Sequence, residues 1–132
     1  ITDLIVDEMD IYSTRLQRAI NNSDDPYLQI EHWIREALQY IADGRHLLVK
    51  SLSAITPPEF RQEEVKEGHR KLMATFINPL SKLRLDNLRA AAARLQSTID
   101  ATAIRIDSGN SVEAEIQQAV RFALAGLRAL EI

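Results

Sequence analysis

The chain has 132 residues, 45% of them hydrophobic and 27% charged, with no cysteine and a formal net charge of -3. That length bounds it to one domain over residues 1–132, and the composition is that of an ordinary globular protein. It excludes a disulfide framework, a thiolate nucleophile and a cysteine-based zinc site, and it lacks the clustered basic excess of a nucleic-acid surface.

In chain order, residues 2 to 21 predict the first helix. Thr2 can cap it, and Ile5, Met9, Tyr12, Leu16 and Ile20 repeat at helical spacing. The run from Asn21 to Asp25 is built of turn and cap formers. Asp25-Pro26 is a start signal, with Asp as N-cap and Pro at the first helical position. The second helix runs to about Ala42 and ends at Asp43-Gly44. Its stripe is Tyr27, Ile30, Ile34, Ala37, Leu38 and Ile41, flanked by Trp33 and Tyr40.

Residues 45 to 54 predict a short buried helix, and Thr56-Pro57-Pro58 starts a third long one reaching about residue 83. Val65, His69, Leu72, Met73, Phe76 and Leu80 form its apolar face. Pro79 predicts a kink or an end near Asn78, because proline removes one backbone bond and crowds the preceding turn. Asp86 is expected to cap the next helix, and Asn110 with Glu113 has capping-box spacing for the last. No stretch alternates as a strand would, so the fold class is all-α, a bundle of five or six helices.

The last two helices carry two faces each. Leu88, Ala92, Leu95, Ile99, Thr102 and Ile106 form one stripe of the first. Val112, Ile116, Ala119, Val120, Ala123, Leu127 and Leu130 form one stripe of the second. A second set of small or apolar residues lies elsewhere: Ala90, Ala93, Ser97, Ala101 and Ile104, then Phe122, Ala125, Gly126 and Ala129. A surface helix needs one buried face. Two predict that the hairpin is covered on both sides, most simply by a second copy in a four-helix dimer interface. Gly126 fits a seam, since an interior helical glycine costs about 1 kcal/mol against alanine and calls for a close neighbour.

Candidate chemistry is sparse. The residues three before His32, His46 and His69 are Gln29, Asp43 and Lys66, so the Glu-x-x-His pair of a di-iron bundle is missing. Asp43 and His46 are spaced for one helix face, but Gly44 lies between them and no further ligand is near, so no metal is expected. His32, beside Glu31, reads as a surface residue. No nucleophile elbow and no phosphate-cradling glycine loop occurs, so neither an enzyme nor a cofactor is expected. Tyr12, Trp33, Ala37, His69, Met73 and Phe76 lie on or beside the inward faces of three helices. They fill a core or, together, wall a cavity for a flat aromatic or alkyl molecule. His69 is either a hydrogen-bonded core histidine or a polar anchor in that cavity.

The segments RLQSTIDATAIRIDSGN and EIQQAVRFALAGLRAL resemble the last two helices of the ligand-binding domain of TetR-type transcriptional repressors. The helix order of the whole chain is similar too. The resemblance implies a homodimer that senses a small hydrophobic or aromatic effector. It also implies an N-terminal helix-turn-helix domain that is not in these residues, so that ITDLIVDEMDIYSTRL follows directly on it, the Ile1 start is that of a fragment, and DNA is reached only through the missing part. With no cysteine and no apolar run near the roughly 18–20 residues of a membrane span, a cytoplasmic protein without membrane contact is expected. The alternative is an all-α interaction or scaffold module with the same hairpin interface and no small-molecule ligand.

Overall fold

The computed structural model describes residues 2–44 and 59–132; side chains are described from residue 7 on, apart from 59–62, 64–66 and 69. The described residues form five helices: α1 (Thr2–Ile20), α2 (Pro26–Ala42), α3 (Glu59–Ser81), α4 (Leu88–Asp107) and α5 (Val112–Leu130). They contain no strand, and the β-bridge between Leu85 and Glu131 is their nearest approach to one. The all-α expectation holds. The expected helix at 45 to 54, the start signal at Thr56-Pro57-Pro58 and His46 lie outside the described residues.

The architecture is centred on α2, which packs against each of the other four helices. Its start follows from local chemistry. The Asp25 carboxylate accepts from the Tyr27 N–H at 2.9 Å, and Pro26 needs no partner at the first position. Its end follows from Gly44, whose φ of 79° lies where side chains are strained. Between these, Ile30, Ile34, Ala37 and Leu38 are buried as the stripe predicts. Trp33 and Tyr40, placed at the edge of the stripe by sequence, are equally buried because neighbours cover the helix on several sides. Each buried Ile or Leu contributes about 1.5–3 kcal/mol.

On α1, Met9, Leu16 and Ile20 are buried and Tyr12 is half-buried, so the predicted stripe faces the core. Here α1 lies between α2 and α3. One of its contacts with α3 is at Gly68, where a Cβ atom would come within 3.2 Å of the Met9 sulfur. Sequence reading assigns Gly68 no part.

Pro79 does not end α3, which continues to Ser81. The proline stands in the last turn, so it forfeits one backbone bond close to where the ladder stops anyway. Its ring is fully buried, which offsets that loss.

Two caps lie one residue beyond their expected positions. Asn87, not Asp86, caps α4, and its side-chain oxygen accepts from the Ala90 N–H at 3.1 Å. Ser111, not Asn110, caps α5 by accepting from the Ala114 N–H. The turn between them is closed by Gly109 at φ 97° and by a bidentate Arg105–Glu115 pair at 2.7 and 3.1 Å. Leu130, expected in the core, is 41% exposed, because the chain leaves α5 there to pair residues 130–132 with 84–86. No helix among the described residues is long and apolar enough to cross a membrane.

Candidate functional site

Four of the six residues expected around an effector come together between α1, α2 and α3. Trp33 and Phe76 are buried with ring centroids 4.3 Å apart and planes tilted by 34°. The Trp33 indole N–H donates to Thr75 Oγ1 at 2.9 Å, and that hydroxyl donates onward to the Leu72 carbonyl at 2.6 Å. The Tyr12 hydroxyl donates to the Ala37 carbonyl at 3.4 Å. Met73, half-buried, packs at the edge of the same core. The His69 side chain lies outside the described residues. The polar atoms of Trp33 and Tyr12 are therefore both satisfied within the chain, by Thr75 and by the Ala37 carbonyl, as buried tryptophan and tyrosine require.

A polar stripe adjoins this cluster, and sequence reading overlooked most of it. Glu8, Tyr12 and Arg15 occupy positions i, i+4 and i+7 of α1, while Glu36, Tyr40 and Asp43 occupy the same positions along α2. That shared spacing was a legible signal. Tyr12 stacks on Tyr40 with centroids 3.9 Å apart and planes within 5°. The Tyr40 hydroxyl donates to the buried Glu8 carboxylate at 2.8 Å. Replacing Tyr40 with Phe removes that donor, and we expect a loss of about 1–3 kcal/mol in urea unfolding.

Burial, then the neighbouring Tyr40 and Glu36, push the Tyr12 phenol well above its ordinary value of 10.0, with Arg15 acting in the opposite sense. The neutral phenol is thus favoured in the folded chain. From about pH 10 upward the unfolded chain sheds this proton and the folded chain keeps it. Stability should therefore fall as pH rises through the alkaline range. Chemical denaturation at stepped pH measures the slope, and Tyr12→Phe should reduce it.

The residues expected at a dimer interface share one exposed face of the α4–α5 hairpin. Buried Leu95, Ile99, Thr102 and Ile106 turn inward from α4, as do Ile116, Val120, Ala123 and Leu127 from α5. Ala93, Ser97, Ala101, Ile104, Phe122, Ala125, Gly126 and Ala129 are all exposed. Ile104 is 67% and Phe122 72% exposed, which is unusual for side chains of that size. A groove of about 600 Å³ runs along the hairpin, with Ala91, Leu95, Ala123 and Leu127 among the residues that line it, along with Arg94 and Phe122.

A separate cleft of about 580 Å³ lies between α1, α2 and α5 and is lined by His32, Arg35, Glu36, Gln39 and Glu113. Arg35 is bonded to Glu31 and Gln117, and Glu36 to Arg15, so most of its charge is spent within the chain. His32, expected on the surface, is half-buried, and its Nδ1 is buried without a hydrogen-bond partner. Among the described residues no group of three or more His, Asp or Glu is placed to hold a metal ion.

No protein-family model, no curated protein and no solved structure matches this chain, so its assignment rests on the residues and their arrangement.

Proposed function

We propose that this chain is the effector-sensing and dimerising domain of a TetR-like transcriptional repressor. The observation that carries the proposal is the exposed apolar face of the α4–α5 hairpin, opposite the face that already completes the core. A second copy related by a two-fold axis would cover it with the same residues. A small apolar or aromatic molecule would enter between α1 and α3, beside Tyr12, Trp33 and Met73. The helix-turn-helix unit that reads DNA belongs, in this proposal, to a part of the protein outside these residues. The effector acts by preferring one arrangement of α1, since equal affinity for two arrangements shifts neither.

Gly126 tests the interface half. A Cβ atom built there meets nothing within 4 Å, so its own chain gives no reason for glycine. Gly126→Leu should keep the helix at least as stable, because any such residue outranks glycine in helix propensity. It should also weaken dimerisation, as read by sedimentation velocity. A variant still fully dimeric at sub-micromolar concentration removes Gly126 from the interface.

The mutual packing of Tyr12, Trp33, Ala37 and Phe76 favours a second reading, an interaction module with the same hairpin interface and no effector. Nile red, a neutral apolar dye, separates the two. An effector domain should bind it saturably, with a raised melting temperature and quenching of Trp33. A dimer with no saturable signal favours the interaction module.

A further inference from the structure

We propose that the Phe122 ring of each copy seats in the α4–α5 groove of the other, so that two equivalent ring-in-groove contacts hold the dimer. This deepens the reading of the hairpin as a dimer interface and rests on it. Phe122 stands at the rim of the groove without filling it: the side chain lines one edge and is still 72% exposed. The floor is apolar, because Ala91, Leu95, Ala123 and Leu127 are all buried there. Beside the floor lies Gly126, where a Cβ atom meets nothing within 4 Å. The groove holds about 600 Å³, well above the roughly 150 Å³ that accepts a benzene-sized ring. A ring in water and an apolar floor in water are both unfavourable, and one contact removes both. The glycine then has a reason, since a side chain at 126 would stand where the partner's ring lies.

Three features select a second copy as the occupant. Ring and groove lie on one face of one chain, which is what a two-fold interface needs: the ring of each copy meets the groove of the other, and both seats close at once. A foreign helix would have to supply both a ring and a receiving surface. The charge also fits. Among the described residues that line the groove, only Asp86 and Arg94 are charged, and their signs are opposite, so the face does not repel its own copy. The size fits as well. With 20 and 19 residues, α4 and α5 give a face about 30 Å long and about 20 Å wide. That is about 600 Å² in projection, near the roughly 800 Å² per partner of a stable interface.

The test pairs two variants of the intact chain. Phe122→Ala removes the ring and leaves the groove open. Gly126→Trp fills the groove and leaves the ring. Both positions are exposed, so both variants should fold. Ala129→Trp, exposed on the same groove, takes the place of Gly126→Trp should that chain fail to fold. Alone, each variant's homodimer has lost both seats. Mixed, the heterodimer keeps one: the ring of the Gly126→Trp chain in the open groove of the Phe122→Ala chain. An aromatic anchor is worth about 30-fold in dissociation constant, so the heterodimer should form about 30-fold more tightly than either homodimer. Native mass spectrometry of the mixture separates the three dimers by mass. A dimeric wild-type chain whose variants pair no better with each other than with themselves overturns the seat and leaves the dimer reading standing. A wild-type chain that is monomeric at the same concentration overturns both.

Discussion

Phe76→Ala should destabilise the chain by about 3–5 kcal/mol in urea unfolding, the largest effect expected of any substitution considered. Phe76 has no exposed surface and packs directly on Trp33, at the meeting of α2 and α3. Truncation removes a ring's worth of apolar burial and leaves a cavity beside Trp33. Close neighbours such as Leu80, also without exposed surface, are held by their own helices and can close the space only in part. Trp33 is the only tryptophan in the sequence, so its fluorescence reports the same site directly. Its emission should shift to longer wavelength if water enters, and remain unshifted if the cavity is dry. A cost below about 1 kcal/mol would mean that this cluster is loosely packed and not a core.

Phe122→Asp should do the reverse. The side chain is 72% exposed on α5, so the folded single chain should lose no more than about 0.5 kcal/mol. The proposed dimer, by contrast, should dissociate at least about 30-fold more readily, because an aromatic anchor of an interface contributes about 2 kcal/mol or more and a carboxylate would be buried in its place. Sedimentation velocity over a dilution series measures this, with stabilities compared at one protein concentration because dimerisation itself adds to apparent stability. The proposal therefore expects opposite outcomes at two phenylalanines, a loss of folding stability at Phe76 and a loss of association at Phe122. An unchanged dimer after Phe122→Asp would place the interface elsewhere.

Much of the fold was legible because its signals are local. Asp25-Pro26 and Asp43-Gly44 mark the ends of α2 through side-chain capping and a left-handed glycine, and both act within a few residues. The inward stripes of α4 and α5 were equally readable, since helical period alone fixes which residues share a face. The failures come from contacts distant in sequence. Asp86 has the chemistry of a cap, but its backbone N–H is bonded to the Leu130 carbonyl, 44 positions on, and Asn87 takes the role. Asn110 is turned back to the Arg105 carbonyl at 2.8 Å, closing α4 and leaving Ser111 to open α5. Leu130 follows the helical period but is carried outward by the same pairing of chain ends.

The candidate site was legible in outline. Tyr12, Trp33, Ala37 and Phe76 were singled out on three separate helices, and the structure brings them together. The charged members of the polar stripe beside them, Glu8, Arg15, Glu36 and Asp43, were missed because each, taken alone, reads as solvent-facing. Glu8 is buried and bonded to Tyr40 of another helix, a fact that one helix's periodicity cannot contain. The same holds for Gly68, whose role is set by Met9 on α1.

The most direct test of the central proposal is the mass of the chain in solution by sedimentation equilibrium at about 10 µM, a concentration that populates any association with a dissociation constant in the micromolar range or tighter. A species of twice 14.9 kDa, reduced toward 14.9 kDa by Phe122→Asp, is the expected result. A single species of 14.9 kDa across the concentration range would contradict it, leaving the exposed face of the hairpin to some other partner.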